Sequence, residues 1–333
     1  MSDARPSGGR SSFASLDRLF CTLPPRVVEG LAVLGEPYPL AANKVAHLKG
    51  SMRQVMGDLV DGIRSRLVDG PGVAILVGEG MKTLTDAQLA SAHFGISLLL
   101  GDPMAQNRAG NRLIEVKDER PANPLLARGY ATNEAMLLHT DGWDASGLMC
   151  LSEPADGGAS LFASSSTVHD LLAIEAPDLL HLFYAQWTWD VTILAGSAVP
   201  TTLTSPIFSV YRDELSCRYG SSMLRRGTAL ASEQVAEQRT SLLNLFEQVA
   251  HRDGVAGRHS LRRGEALWMN NRRVLHGREP FIDGTAPGTK RRLLRTWVAL
   301  ENMVPLASGF GDFDSQVFGV ARLVSTGLSV APL

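Results

Sequence analysis

Between about residues 134 and 300 the chain breaks into short strand-like runs that regular helices do not separate, and this spacing limits the possible fold more than any other feature. The runs cover 136–140, 148–151, 160–163, 187–194, 215–219, 266–269 and 292–300. A doubly wound parallel sheet needs a helix after nearly every strand. Here the helical patterns are confined to 167–183, interrupted by Pro177, and to 232–251. The spacing therefore predicts an α+β chain with a mainly β core, a sandwich or jelly roll with flanking helices packed outside it.

The first part of the chain reads differently. From 43 to 68, apolar residues fall at Val45, Leu48, Met52, Val55, Met56, Leu59, Val60 and Ile63, the three-and-four spacing of one helix face. Asp69-Gly70-Pro71-Gly72 stops that helix, and Val73 to Val77 reads as a buried strand. A second helix is expected to start at Thr85 or Asp86, where a capping side chain precedes Leu89, Ala92, Phe94 and Leu98. The stretch from 101 to 133 is polar, with scattered Gly and Pro, and reads as mostly irregular chain; about 103–133 is a candidate lid. Residues 1–15 read as a disordered tail, and 16–333 as a single domain, because no break in composition marks a second one.

Charge excludes some partners. Thirty-two Lys and Arg nearly balance 34 Asp and Glu, so no overall field draws the chain to nucleic acid or to an anionic membrane. No run approaches the roughly 20 apolar residues of a membrane span. The N-terminus lacks the apolar core of a secretory signal, and Cys21, Cys150 and Cys217 form no metal-type pair. The expectation is a cytoplasmic protein with a small-molecule partner, with self-association as a homo-oligomer left open.

Leu137-Leu138-His139-Thr140-Asp141-Gly142 is the strongest local feature. On a strand, residues i and i+2 share a face, so His139 and Asp141 can converge on one ion. With a second histidine they would form the two-His, one-carboxylate set of non-haem iron(II). Alone, the pair is weak evidence, and a polar strand end with a merely hydrogen-bonded histidine is the commoner reading. Of the other histidines, His47, His93, His169 and His181 lie in helix-like segments, while His251 and His259 flank a polar stretch. His276 differs, because it follows a strand that leads into a polar turn at Asn271-Arg272-Arg273. Farther on, strand alternation puts Arg291, Leu293, Arg295 and Trp297 on one face. An inward arginine is costly unless it meets an anion, and its planar fork suits a carboxylate. An edge strand with solvated arginines is the plainer alternative.

Taken in order, these motifs resemble the taurine dioxygenase-like (TauD/TfdA) family, including its clavaminate synthase-like branch. The resemblance runs from about Val73 to Val298. It is carried by the helix-then-strand opening, His139-Thr140-Asp141-Gly142, and Gly157-Gly158-Ala159-Ser160 with the following helix. It continues through Asn271 to Arg278 and Arg291 to Trp297. The family fold that it implies is a double-stranded β-helix, a distorted jelly roll. The implied iron ligands are His139, Asp141 and His276. Arg291 best matches the arginine that holds the distal carboxylate of 2-oxoglutarate, with Arg292 as the alternative if the register slips by one. Ser160 stands where the family usually has a threonine on the same carboxylate. Arg295 matches a position that meets a substrate or co-substrate anion, and Asn271 would steady the turn that presents His276.

The implied activity is that of an Fe(II)- and 2-oxoglutarate-dependent dioxygenase that uses O2 and forms succinate and CO2. It would hydroxylate an unactivated C–H bond of a small, amino-acid-derived or specialised-metabolite substrate, with desaturation or cyclisation as variants. Because Asp141 is present, halogenation is disfavoured. A catabolic enzyme for a small sulfonate or carboxylate nutrient is the rival within the class. A non-catalytic jelly-roll binding protein and a zinc hydrolase are the rivals outside it. Trp143, the 106–133 stretch and the 212–219 segment are candidate pocket walls.

Overall fold

A computed structural model describes residues 13, 16–33, 42–107, 109–119, 129–195, 201–286 and 288–318. Among these residues the main sheet has seven strands. Its path runs through Phe20–Thr22, Val73–Val77, Ala266–Asn270, Ala145–Ser152, Arg292–Leu300 and Gly101–Met104, and Leu113–Val116 also pairs with Arg292–Leu300. A second sheet of four strands runs Ala256–His259, Ser160–Ser164, Val274–Arg278 and Met136–His139. Its three pairings are all antiparallel.

Alternation along each strand assigns the layers. Val73, Ile75, Leu267, Met269 and Leu293 pack with Phe162 and Val274 of the smaller sheet in one cluster between the two sheets. Their neighbours Ala74, Leu76, Ala266, Trp268 and Leu294 turn the other way and pack against the helices Ala42–Met56, Leu59–Val68 and Asp86–Leu100. This is the period of two expected for strands buried on both faces. A buried aliphatic side chain contributes roughly 1.5–3 kcal/mol, so the paired layers hold the sandwich shut. The outer face of the smaller sheet is covered by Ser165–Glu175, Glu233–Ala250 and an aromatic group that includes Phe183, Trp187 and Phe246. The jelly-roll core with outside helices is therefore as expected.

Several local expectations hold closely. The strand at Val73–Val77 and the helix over Glu233–Ala250 are as read, and Asp86–Leu100 starts behind a full capping box at Thr85 and Gln88. Such a cap is worth about 1 kcal/mol. Others need correction. The long 43–68 helix is two helices, because Gly57 takes a left-handed φ of 50° and ends the first. The run at 187–194 is a strand only to Asp190, where the Asp190 carboxylate accepts from the Thr192 N–H and a short helix, Thr192–Ala195, begins.

The 101–133 stretch is less irregular than its composition suggests. Gly101–Met104 and Leu113–Val116 both pair with Arg292–Leu300, so partner strands far along the chain override weak local periodicity. Residues 108 and 120–128 of the candidate lid lie outside the described residues. So does most of the expected tail, although Phe13 is described, buried, and set edge-on to Phe162 at 5.1 Å. Among the described residues no helix is long and apolar enough to cross a membrane.

Candidate metal centre

His139 ends one strand of the smaller sheet, and His276 lies directly opposite it on the antiparallel neighbour. Their ring centroids are 4.6 Å apart. The Nδ1–H of His139 donates to the Leu137 carbonyl at 2.9 Å, which fixes the tautomer and leaves Nε2 for the site. Asp141 does not share the strand, which stops at His139, so its carboxylate arrives on the following turn. Its Oδ1 lies 3.8 Å from Nε2 of His139 and its Oδ2 lies 3.3 Å from Nε2 of His276. One donor atom from each residue falls within 4.8 Å of the others. Two imidazoles and one carboxylate at this spacing suit a borderline divalent ion such as iron(II).

The protonation states suit a metal as well. Burial, followed by the charge of His276, lowers the pKa of His139 to about 4 and keeps it neutral near pH 7. Burial alone would raise that of Asp141. Arg295 and the neighbouring His276 outweigh burial and hold the carboxyl well below its usual range. Oδ2 also accepts from Ser146 Oγ at 3.0 Å and from Trp297 Nε1 at 2.8 Å.

Three contacts hold the loops that carry these groups. Between the ligands, Thr140 donates its N–H to the Tyr219 carbonyl at 2.8 Å, and its hydroxyl accepts from the Tyr219 N–H at 3.1 Å. Asn271 donates its side-chain N–H to the Gly142 carbonyl at 2.8 Å and its backbone N–H to the Asp144 carbonyl. The turn before His276 is thus tied to the turn after Asp141, the role expected of Asn271. The buried Arg272–Asp144 ion pair closes the same junction. Trp143 sits at φ 62°, an uncommon conformation for a bulky residue, and is buried in the core cluster with Phe318.

A group of buried arginines, Arg278, Arg291 and Arg295, lies along and beside the same strands. Arg291 is 4% exposed, and Nη1 of its guanidinium has no hydrogen-bond partner among the described residues. Burial first, and the charge of Arg278 second, lower its pKa to about 9, the mark of a site suited to an anion. Ser160 is buried and faces Arg278 across the strand pair. Gly158, at φ 74°, lets Arg291 pass, since a Cβ there would lie 3.1 Å from Arg291 Cδ and Nε. Arg292 points the other way, to Asp86 and Glu115 on the outer face. The register shift beside Arg292 falls between Arg292 and Leu293, with Leu151 as the extra residue on the partner strand, so alternation along Leu293, Arg295 and Trp297 is preserved.

Arg295 completes the group. Its guanidinium lies over the Tyr130 and Trp297 rings at 5.1 and 4.6 Å, and Nε donates to Gln106 Oε1 at 2.8 Å. Nη1 lies 3.5 Å from Asp141 Oδ1. Of the residues singled out from the sequence, His139, Asp141, His276 and Arg295 therefore converge, Ser160 and Arg291 are buried in the same sandwich, and Arg292 turns away to the outer face. Sequence reasoning missed Arg278, Ser146 and the roles of Gln106 and Tyr130. Arg278 had a signal, since it lies two residues after His276 and shares its strand parity. Gln106 had only its place at the start of the 106–133 candidate wall, because its partner is 189 residues away.

The chain is similar to several known proteins. Residues 51–297 match the taurine catabolism dioxygenase TauD, TfdA family. FR-33289 synthase of Streptomyces rubellomurinus is 32% identical over 254 residues, which is 74% of each chain. An asparagine oxygenase in complex with Fe(II), a hydroxyasparagine and succinate superposes with a TM-score of 0.64 at 21% identity, covering 84% of this chain and 93% of the other. The non-heme iron oxygenase OrfP with Fe and alpha-ketoglutaric acid superposes with a TM-score of 0.59 at 15% identity, covering 84% and 93%.

Proposed function

Since the chain belongs to the taurine catabolism dioxygenase TauD, TfdA family, we propose that His139, Asp141 and His276 hold its catalytic iron(II) and that Arg291, with Ser160, holds the distal carboxylate of 2-oxoglutarate. The protein is an Fe(II)- and 2-oxoglutarate-dependent oxygenase, a hydroxylase in class. When bound, iron(II) and 2-oxoglutarate with O2 supply an oxidative decarboxylation to succinate and CO2 that is coupled to attack on an unactivated C–H bond.

The chain's own residues position and shield. The imidazoles of His139 and His276 and the carboxylate of Asp141 would hold the ion and leave room beside it for co-substrate and O2. Trp297 and Ser146 orient Asp141. Arg291 and Ser160 supply a charged fork and a hydroxyl for the distal carboxylate, which fixes the co-substrate's reach towards the metal. The retained Asp141 favours hydroxylation over halogenation, which requires a free position in its place.

Arg295 is the residue we assign to an acidic group of the substrate. It is buried, lies beside Asp141, and is flanked by Tyr130, Trp297 and Gln106. The substrate we infer is a small, amino-acid-derived or specialised metabolite carrying an acidic group. The similarity to FR-33289 synthase favours biosynthesis over nutrient breakdown.

The observation that carries the metal assignment is the convergence of three donor atoms within 4.8 Å. Anaerobic titration with Fe(II) and 2-oxoglutarate tests it through the weak visible charge-transfer band of the chelate. The band is expected with wild type and lost with His276→Ala. A folded, metal-loaded wild type without the band would count against the assignment.

A further inference from the structure

Arg278 is buried at 4% exposure, and its guanidinium lies 4.8 Å from the centroid of the Phe281 ring. Arg291 lies 5.3 Å from the same ring. Nη2 of Arg278 donates to the carbonyls of Thr132, at 2.8 Å, and Glu134. Its Nε and Nη1, like Nη1 of Arg291, are buried without a partner among the described residues. Two neighbouring buried cations with three donor atoms unsatisfied among the described residues are costly, and the charges of Asp118 and Glu134 on Arg278 and of Asp283 on Arg291 offset only part of that cost. One carboxylate, with two oxygens and about four lone-pair directions, can accept from both forks at once.

The segment that Arg278 grips faces two sites. At Asn133 it exchanges hydrogen bonds with Phe281, beside the pocket, at 3.1 and 3.3 Å. At Tyr130 it covers the guanidinium of Arg295. The geometry points to Arg278 as a second arginine of the co-substrate carboxylate pocket, and as the positioning residue that links filling of that pocket to placement of the 129–134 segment beside the substrate. This rests on the reading of Arg291 as the 2-oxoglutarate arginine. An incoming carboxylate satisfies the idle arm of Arg278 and stops its guanidinium from turning. The Nη2 arm then holds the carbonyls of Thr132 and Glu134 more firmly, and Tyr130 is set over Arg295 before substrate arrives.

The test uses full-length protein loaded with Mn(II) in place of Fe(II), so that nothing turns over. Calorimetry gives the affinity for 2-oxoglutarate, and hydrogen exchange reports the backbone of 129–134 with and without it. Wild type should bind 2-oxoglutarate and gain protection in this segment. Arg278→Lys keeps a charge but loses the fork, so binding should weaken about tenfold, and protection should not appear even at saturation. Arg291→Lys should also weaken binding yet keep the protection once saturated. Wild-type affinity in Arg278→Lys, or wild-type exchange indifferent to 2-oxoglutarate, overturns the inference. The second result decides the matter even if the variant does not fold. A metal-loaded wild type that binds no 2-oxoglutarate sinks the co-substrate reading itself, a different failure from an indifferent Arg278 variant.

Discussion

The indole N–H of Trp297 donates to Oδ2 of Asp141 at 2.8 Å, so the longest strand of the main sheet orients a carboxylate that belongs with the histidines of the smaller sheet. Ser146, on the adjacent main-sheet strand, donates to the same oxygen. The candidate metal centre is therefore assembled across the sandwich, with the proposed ligands mostly on one sheet and their supports on the other.

We predict that Trp297→Phe, which keeps the ring and removes the donor, lowers metal affinity by about tenfold or more. Its cost in folding stability should stay near 1 kcal/mol. Metal titration and urea unfolding measure the two effects separately. Unchanged affinity would mean that the hydrogen bond does not orient the ligand.

His139→Ala and Asp141→Ala should each abolish 2-oxoglutarate turnover while leaving a folded protein, because neither side chain belongs to the apolar clusters between or outside the sheets. Succinate formation together with circular dichroism checks this. Full turnover in either variant would remove the triad assignment.

The two adjacent arginines should behave differently. Arg291→Gln is expected to raise the 2-oxoglutarate concentration needed for half-maximal turnover by at least tenfold. Arg292→Gln should leave that requirement alone, because its side chain pairs outside with Asp86 and Glu115. The opposite pattern would place the co-substrate on the wrong side of the strand.

Gly158→Ala tests the same pocket from its floor. The new Cβ would sit 3.1 Å from Arg291 Cδ and Nε at a φ of 74°, so backbone strain of about 1 kcal/mol or more accompanies a shift of the guanidinium. The expected result is a higher 2-oxoglutarate requirement with the maximal rate largely kept. A melting temperature and co-substrate requirement equal to wild type would show that the close approach does not matter.

Acid should weaken the metal-free fold through His93. This residue is fully buried, with Nε2 against the Gly147 carbonyl at 3.2 Å, and burial lowers its pKa from 6.5 to about 4. The unfolded chain then binds more protons between those values. The contribution is whole above pH 6.5 and is lost as pH falls towards 4, at up to about 1.4 kcal/mol per unit and about 3 kcal/mol in all. Urea unfolding at pH 7.5, 6 and 5 should show the slope, and His93→Gln should reduce it, leaving the share that comes from His139, whose pKa burial also lowers to about 4. An equal slope in the variant would assign the acid sensitivity to other groups.

Local rules made much of this legible in advance. Period-two alternation in Arg292–Leu300 separated the faces of that strand, and the spacing of His139 and Asp141 marked a candidate metal pair. Thr85 and Gln88 announced their helix through a cap that needs only four neighbouring residues. The sequence by itself thus determined the strand-rich architecture and the closeness of His139 and Asp141, and it left open whether the arginines turn inward. Tertiary structure alone decided that His276 lies opposite His139, that Gln106 meets Arg295, and that Arg278 shares a ring with Arg291. It also turned weakly patterned chain at Leu113–Val116 into a strand. The reason is physical. Alternation and capping act over a few residues and say which way a side chain points. Which strand lies alongside is settled by burial and pairing between segments more than a hundred residues apart, and no local pattern encodes that choice.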